Sequence, residues 1–245
     1  MITLLVSYFV SKDVRINAED NNLTLNERSA DSAENLLGQY VNSVKLFLSM
    51  AENSPNDEYE KKQIALMFFD VNSDVAFVAL PESQHIFVNK KYFIENEIDE
   101  KLVTNYLSQS ETEIANAENG EVQVYNVSPV FRKEMLSIFS PLTGYENDSS
   151  FIFAFSSEKL SKGISSGNVN TTFIVNKDGD VLVHPDYDLV LQGKNLLEIK
   201  IVEQMLSSSE SNRQLLYIDN SGDEYFGAYK KINPGNCGVI TTVKS

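Results

Sequence analysis

Residues 10–52 carry an unbroken helical pattern that is longer than one small domain needs. No proline occurs before Pro55. At 1.5 Å per residue, a helix of about 40 residues is about 60 Å long. We therefore predict a long N-terminal helix along the flank of two stacked domains. The apolar positions that repeat at helical spacing are Ala33, Leu37, Tyr40, Val41, Val44, Leu48 and Ala51.

This apolar stripe has two compatible uses. It can pack on the sheets of its own chain, or it can form a parallel homodimer across residues 28–52. The spacing alone does not choose between them, and both can hold in one molecule.

A second pattern occurs twice. Residues 71–78 recur loosely as residues 175–183, and each copy reads as an apolar strand, an Asn/Asp-rich turn and a second apolar strand. The copies start 104 positions apart (71 and 175), which is too far for a solenoid repeat. The pattern predicts two small domains of one architecture.

Periodicity and turn residues predict the remaining elements. Short links favour antiparallel pairing, and the Ser/Gly-rich residues 156–170 separate the two domains. The predicted domains are 1–52 (long helix), 53–160 and 161–245. Predicted strands are 63–71, 75–80, 86–94, 121–130, 134–141, 151–155, 171–175, 180–184, 213–218, 224–230 and 237–243; predicted helices are 98–107 and 196–206, and 185–194 is a predicted loop.

Composition excludes several classes of function. The net charge of −15 argues against nucleic-acid binding and against docking on anionic lipid head groups. Cys237 is the only cysteine, and His85 and His184 are the only histidines, so no intrachain disulfide or metal site is predicted. No GxGxxG or P-loop motif occurs, and we predict no catalytic residues.

The sequence His184-Pro185-Asp186 invites a catalytic or metal-binding interpretation. One histidine beside one aspartate is too little for either, so we interpret the motif as a strand end that fixes the following loop. The alternative is a pH-sensing role, because histidine changes charge near pH 6.5.

Residues 1–10 are mostly apolar. Ten residues are too few to span a bilayer, which needs about 20. They also lack the basic segment and cleavage site of a signal peptide. We interpret them as the outer end of a transmembrane helix; the alternative is the start of an ordinary buried helix.

Two segments resemble the membrane-proximal module of a double Cache sensor region. Residues 172–185 hold the Asp178-Gly179 turn, and residues 217–230 lead into the closing run 238–243. The resemblance is strongest over residues 171–245. The N-terminal residues, around 9–22, look like sensor regions attached to bacterial adenylate/guanylate cyclases.

The resemblance implies an α+β fold in which two PAS-like modules with antiparallel sheets follow the long helix. It implies an extracytoplasmic, non-catalytic region between flanking transmembrane helices that binds a small molecule without a cofactor. The signal would pass through the long helix and the C-terminal strand to a chemoreceptor, kinase or cyclase output outside this chain. The alternative is a protein-interaction module with no small ligand.

The resemblance also implies that the membrane-distal module holds the ligand. Arg132 suits a ligand carboxylate through paired hydrogen bonds; the alternative is an exposed arginine beside Lys133. The family's amino-acid-binding Arg-x-Trp-Tyr core is absent, because the chain has no tryptophan. Lys90 and Lys91 are interpreted as surface charges. The candidate ligand-binding residues are Tyr92, Tyr125, Phe131, Arg132 and Tyr145.

Overall fold

The computed structural model describes the backbone of residues 2–52, 58–144, 149–164 and 170–245. Side chains are described for residues 19–51, 59–144, 149–164 and 170–245. The helix-breaking residues 54–57 and the candidate Tyr145 lie outside the described residues.

The predicted long helix is present as α1, Ile2–Glu52, with 51 residues. At 1.5 Å per residue it is about 76 Å long. Along its C-terminal half the predicted stripe is buried against the rest of the protein: Leu37 and Leu48 are each 1% exposed and Val44 is 0% exposed. Packing on the protein's own sheets is therefore confirmed, and the homodimer stays a prediction.

The first module follows α1 and combines one sheet with several helices. Its strand β5 lies in the middle of the sheet, between β1 and β4. Its elements are α2 (Glu58–Val71), β1 (Val75–Leu80), β2 (His85–Val88), α3 (Lys90–Glu95), α4 (Lys101–Ser108), α5 (Glu111–Glu118), β3 (Gln123–Asn126), α6 (Ser128–Phe131), β4 (Met135–Pro141) and β5 (Ser150–Ser156).

The second module is smaller and begins after α7 (Glu158–Ile164), a helix that packs on α1. Its last strand is again central. Its elements are β6 (Thr171–Val175), β7 (Val181–Val183), α8 (Tyr187–Gln192), α9 (Lys200–Ser207), β8 (Asn212–Ile218), β9 (Glu224–Ile232) and β10 (Cys237–Lys244).

The two sheets have the same topology. Among the described residues each has five strands, ordered β2-β1-β5-β4-β3 in the first module and β7-β6-β10-β9-β8 in the second. Every pairing is antiparallel. The predicted α+β class and the predicted duplication of one architecture are therefore confirmed.

The predicted register of the repeat is wrong in the first copy. Residues 63–71 do not form a strand, because Glu58–Val71 is the helix α2. Ala65, Phe68 and Phe69 lie at helical spacing and bury one face, with the ring of Phe68 stacked 4.5 Å from that of Phe47. The true counterpart of β6 is β1, which pairs with β2 across residues 81–84.

Three further predictions are wrong in part. The predicted strand 86–94 ends at Val88, because Asn89 caps α3 by accepting a hydrogen bond from the Tyr92 backbone N–H. The predicted strand 121–130 is only β3, and Pro129 lies in the first turn of α6. The predicted loop 185–194 contains α8, whose N-cap is Asp186.

Polar contacts tie α1 to the second module. Asn22 and Asn26, 0% and 1% exposed, lie against the central strand β10. The Asn22 amide donates to the carbonyl oxygen of Thr241 at 3.1 Å, and the Asn26 amide donates to that of Val239 at 3.0 Å. A buried amide must find such partners, so these bonds fix the position of the helix along the strand.

The two modules also contact each other directly. The Asn126 amide donates to the carbonyl oxygen of Val190 at 2.7 Å, and Lys177 lies 3.1 Å from the carboxylate of Glu121. Gly193 has φ of +61° and ends α8, and a Cβ there would lie 3.0 Å from the Pro129 ring. Helices α6 and α8 therefore form a contact between the modules.

Within the part of the sequence that the structure describes, none of the helices has an apolar stretch long enough to cross a membrane. The side chains of residues 2–18 lie outside the described residues. The interpretation of residues 1–10 as the end of a transmembrane helix stays a prediction.

Candidate functional site

A cluster of aromatic rings fills the space between the first sheet and the helices α3–α6. The rings come from β1, α4, β3, α6 and β4, so residues distant in sequence meet at one sheet face. Neighbouring rings in this aromatic cluster lie 5.8–6.5 Å apart, mostly edge to face. We define the aromatic cluster as Phe77, Tyr106, Tyr125, Phe131 and Phe139.

One hydroxyl pair lies inside the aromatic cluster. The hydroxyls of Tyr106 and Ser137 share a hydrogen bond of 2.6 Å, and Ser137 is 0% exposed on strand β4. Burial raises the pKa of the Tyr106 phenol above its ordinary value, although its bonds to Ser137 and Ser110 act in the opposite direction. The phenol therefore stays neutral at physiological pH.

A second polar group closes the β3 side of the cluster. The Tyr125 hydroxyl donates to the Gln123 side-chain oxygen at 2.8 Å, and the Gln123 amide donates to the carbonyl oxygen of Glu113 at 2.9 Å. Burial raises the pKa of Tyr125 to about 12, helped by the negative charge of Glu113. The side chains that form these hydrogen bonds are uncharged: three hydroxyls and the Gln123 amide.

The structure brings two of the five predicted ligand-binding residues into the cluster. Tyr125 contacts Phe139, and Phe131 contacts both Phe77 and Tyr106. Their predicted role in binding stays a prediction.

Of the other predicted residues, Tyr92 belongs to the same buried core as the aromatic cluster, whereas Arg132 is exposed. Tyr92 is 7% exposed on α3 and packs on Phe93, and burial raises its pKa to about 12. Arg132 is exposed at the C-terminal end of α6, with its backbone in the left-handed region. Tyr145 lies outside the described residues.

Tyr106, Ser137, Phe77, Phe139 and Gln123 were not predicted as site residues. Two of them left a signal in the sequence. Tyr106 lies on the predicted apolar stripe of helix 98–107, and Ser137 is a small polar residue in a strand whose other central positions are apolar. A serine in an apolar strand needs a hydrogen-bond partner when it is buried, and the tyrosine on the helix that covers the sheet supplies one.

The fold is similar to those of several solved sensory domains. The ligand-binding domain of the Campylobacter jejuni chemoreceptor Tlp3, in complex with L-norvaline, superimposes with a TM-score of 0.64 at 13% identity, covering 96% of this protein and 94% of that one. The ligand-binding domain of the Pseudomonas aeruginosa PAO1 chemoreceptor PctC, in complex with GABA, gives 0.61 at 16% identity, covering 94% and 100%.

A third similar structure is the extracellular domain of a histidine kinase, soHK1S-Z6, with a TM-score of 0.62, 14% identity and coverage of 97% of both proteins. All three matches extend over the long helix and both modules. The chain has the double Cache fold. No family model and no curated protein matches the sequence.

In this double Cache fold the aromatic cluster belongs to the first module, which lies at the C-terminal end of α1. Among the described residues, no group of three or more His, Cys, Asp or Glu side chains is placed to hold a metal ion. His184 accepts a hydrogen bond of 2.9 Å from the Asp186 backbone N–H, and the Asp186 carboxylate caps α8. The motif thus orders the start of α8.

Proposed function

We propose that the protein is the extracytoplasmic ligand-sensing region of a transmembrane signalling receptor. The supporting observation is the match of both modules, over nearly the whole sequence, to ligand-binding domains of chemoreceptors and to a histidine kinase extracellular domain. The first module is the membrane-distal one in this proposal, and the region has no catalytic activity of its own. Chemoreceptor, kinase and cyclase outputs remain open.

The ligand of this proposal is a small molecule that binds at the aromatic cluster. Rings supply apolar and stacking contacts, and the hydroxyls of Tyr106, Tyr125 and Ser137 supply hydrogen bonds. A zwitterionic amino acid would place two charges among uncharged groups, which is costly without charged partners. We therefore propose a ligand whose buried part is uncharged, with any carboxylate at the surface near Arg132.

The rings already touch one another, so a ligand must displace some of them. Phe131 lies on α6, and α6 contacts α8 of the second module. Displacement of Phe131 would move α6. This movement would strain the hydrogen bond between Asn126 and Val190, which joins the two modules. Binding energy that differs between two positions of α6 shifts their populations, and about 1.4 kcal/mol changes the ratio tenfold.

The homodimer through α1 remains part of the proposal, on a different face of the helix. Because the predicted stripe is buried within its own protomer, we propose that the second copy contacts Leu46 and Met50, which are 64% and 50% exposed. They are four residues apart and so lie on the same side of α1.

A thermal-shift screen tests the function. Carboxylates, amino acids, purines and polyamines are tested against the wild-type protein and against Tyr125→Ala. A ligand that raises the melting temperature of the wild type but not of Tyr125→Ala supports sensing at the cluster. The control is Tyr187→Ala, since Tyr187 is 42% exposed on the second module. If no compound shifts the melting temperature, the protein-interaction module is favoured instead.

A further inference from the structure

A separate groove runs along the outer edge of the first sheet. It has a volume of about 1060 Å³ and lies between α2, the edge strand β2 and the start of α3. Small-molecule sites usually measure about 300–1,000 Å³, so the groove is large enough for a ligand. None of the five residues of the aromatic cluster lines it, so it is a second, independent space.

Large apolar residues form part of the groove lining. Leu66 and Phe69 line it from α2, and Ile86 and Phe87 line it from β2. Leu66 is 55% exposed and Ile86 is 40% exposed, although both are large apolar residues. Contiguous exposed apolar surface of this kind marks a binding site more often than chance.

Four lysines also line the groove. Lys61 and Lys62 lie near the start of α2, and Lys90 and Lys91 belong to the first turn of α3. No carboxylate among the described residues forms an ion pair with any of the four. Four lysines against three lining carboxylates give the groove a slight excess of positive charge, in a protein with 35 acidic and 20 basic residues.

The charges in the groove are separated along its length. The Asn89 amide donates to the carbonyl oxygens of Ser73 and Val75, which brings the C-terminal end of α2 next to α3. Of the lining carboxylates, Asp70 lies at that end of α2, Glu95 ends α3, and Glu100 precedes α4. Lys62 precedes Asp70 by eight residues, which is about 12 Å along α2. Along α2, the residues that line the groove are therefore cationic at the Lys61/Lys62 end and anionic at the Asp70 end.

From this arrangement we infer that the groove binds an amphipathic anion, with the anionic head group at Lys61 and Lys62 and the apolar tail along Leu66, Phe69 and Phe87. The head group gains two ammonium groups without displacing an ion pair among the described residues. The apolar tail covers Leu66, which is 55% exposed, and the half-buried Phe87.

A second copy of this protein fits the groove less well. Pairing of β2 with its twin would bring four lysines of each copy together, and like charges repel. A neutral apolar ligand would leave the lysines unused. An anion with an apolar tail satisfies both features at once.

The test uses cis-parinarate, a fluorescent fatty carboxylate, with the 245-residue protein. The sequence has no tryptophan, so the protein adds little background fluorescence. We expect saturable binding that decanoate displaces at least tenfold better than decanol or decyltrimethylammonium. Lys61→Gln combined with Lys62→Gln should weaken decanoate binding about tenfold and leave decanol unchanged. Leu66→Gln should weaken both, and its exposed position preserves the fold.

The matched control is Lys133→Gln combined with Lys194→Gln, which removes the same charge outside the groove. The inference is overturned if parinarate does not bind, if the two double variants weaken decanoate equally, or if decanol competes as well as decanoate. Co-sedimentation with phosphatidylglycerol vesicles without competition by decanoate would also overturn it. Tyr125→Ala should leave parinarate binding unchanged, so the outcome is independent of the proposed sensing site.

Discussion

The amide nitrogen of Asn26 lies 3.0 Å from the carbonyl oxygen of Val239, and both residues are buried. One helical turn earlier, Asn22 makes the same contact with Thr241. Four residues of helix rise about 6.0 Å and two residues of strand about 6.6 Å, so the two repeats nearly match. The long helix is therefore held at a defined position on the C-terminal strand.

Asn26→Ala should lower the free energy of unfolding by about 1–3 kcal/mol, because it removes buried hydrogen bonds to Val239 and Thr241. Urea unfolding measures the change. Asn42→Ala is the matched control, since Asn42 is exposed on the same helix and its loss should change stability by less than about 0.5 kcal/mol. Equal effects of the two substitutions would show that the hydrogen bonds from Asn26 to β10 do not contribute to the free energy of unfolding.

His184 should make the protein less stable in mild acid. Burial lowers its pKa below the ordinary value of 6.5, although Asp186 acts in the opposite direction. Between the folded and unfolded pKa values the unfolded protein binds more protons, so its contribution to stability is present above pH 6.5 and is lost as the pH falls. Protonation also removes the acceptor for the Asp186 N–H.

Thermal unfolding between about pH 7.5 and pH 5 measures this effect. The melting temperature of His184→Gln should fall less with decreasing pH than that of the wild type. His85→Gln is the control, because His85 is exposed. Parallel pH profiles for the wild type and His184→Gln would contradict the prediction.

The hydroxyls of Tyr106 and Ser137 should be coupled. Tyr106→Phe leaves the buried Ser137 hydroxyl without this partner, and Ser137→Ala does the same to the Tyr106 hydroxyl. Each should cost about 1–3 kcal/mol, and the double variant should cost clearly less than their sum. A double-mutant cycle by urea unfolding measures this coupling, and simple additivity would refute it.

Arg132→Gly should raise the free energy of unfolding by about 1 kcal/mol. Arg132 has φ of +56°, a left-handed conformation that costs a side-chain-bearing residue about 1–2 kcal/mol. Arg132→Ala keeps that backbone cost and should not be stabilising. Once a ligand is known, both variants should weaken its binding if the guanidinium contacts it. Unchanged affinity would remove Arg132 from the site.

Leu46→Glu combined with Met50→Glu should turn a dimer into a monomer in sedimentation experiments. Both side chains are exposed, so the fold should survive while a repulsive charge enters the proposed contact. Leu197→Glu, at a position 47% exposed on the second module, should leave the association state unchanged. A wild type that is monomeric at all concentrations would contradict the homodimer.

The long helix and the second module were predictable because their signals are local. Glycine at position 179, with φ of +87°, marks a tight turn between two apolar runs, and the structure has β6 and β7 on either side. The run Phe68-Phe69 misled the prediction, since a short aromatic run fits a buried strand and a buried helix face equally well. In the structure this run belongs to helix α2, where Phe68 stacks on Phe47 of α1. The spacing of residues in the sequence does not reveal that contact.

The candidate site was predictable only in part. Tyr125 and Phe131 lie on β3 and α6 and were identified from their residue types. The site also requires Phe139 on another strand and Tyr106 on a helix, and these meet only after the sheet order β2-β1-β5-β4-β3 has formed. Sheet order depends on contacts between distant residues, so a local pattern does not reveal it.

Helix α1 and strand β10 run in opposite directions, since Asn22 faces Thr241 and Asn26 faces Val239. The segment that precedes Asn22 and the segment that follows Thr241 therefore depart from the same end of the second module. A force that separates these two departing segments sideways would peel the helix from the strand and break the contacts one after another. Only one contact resists the force at any moment. A protein with this arrangement could therefore be stable to heat and still lose the contact between α1 and β10 at low force.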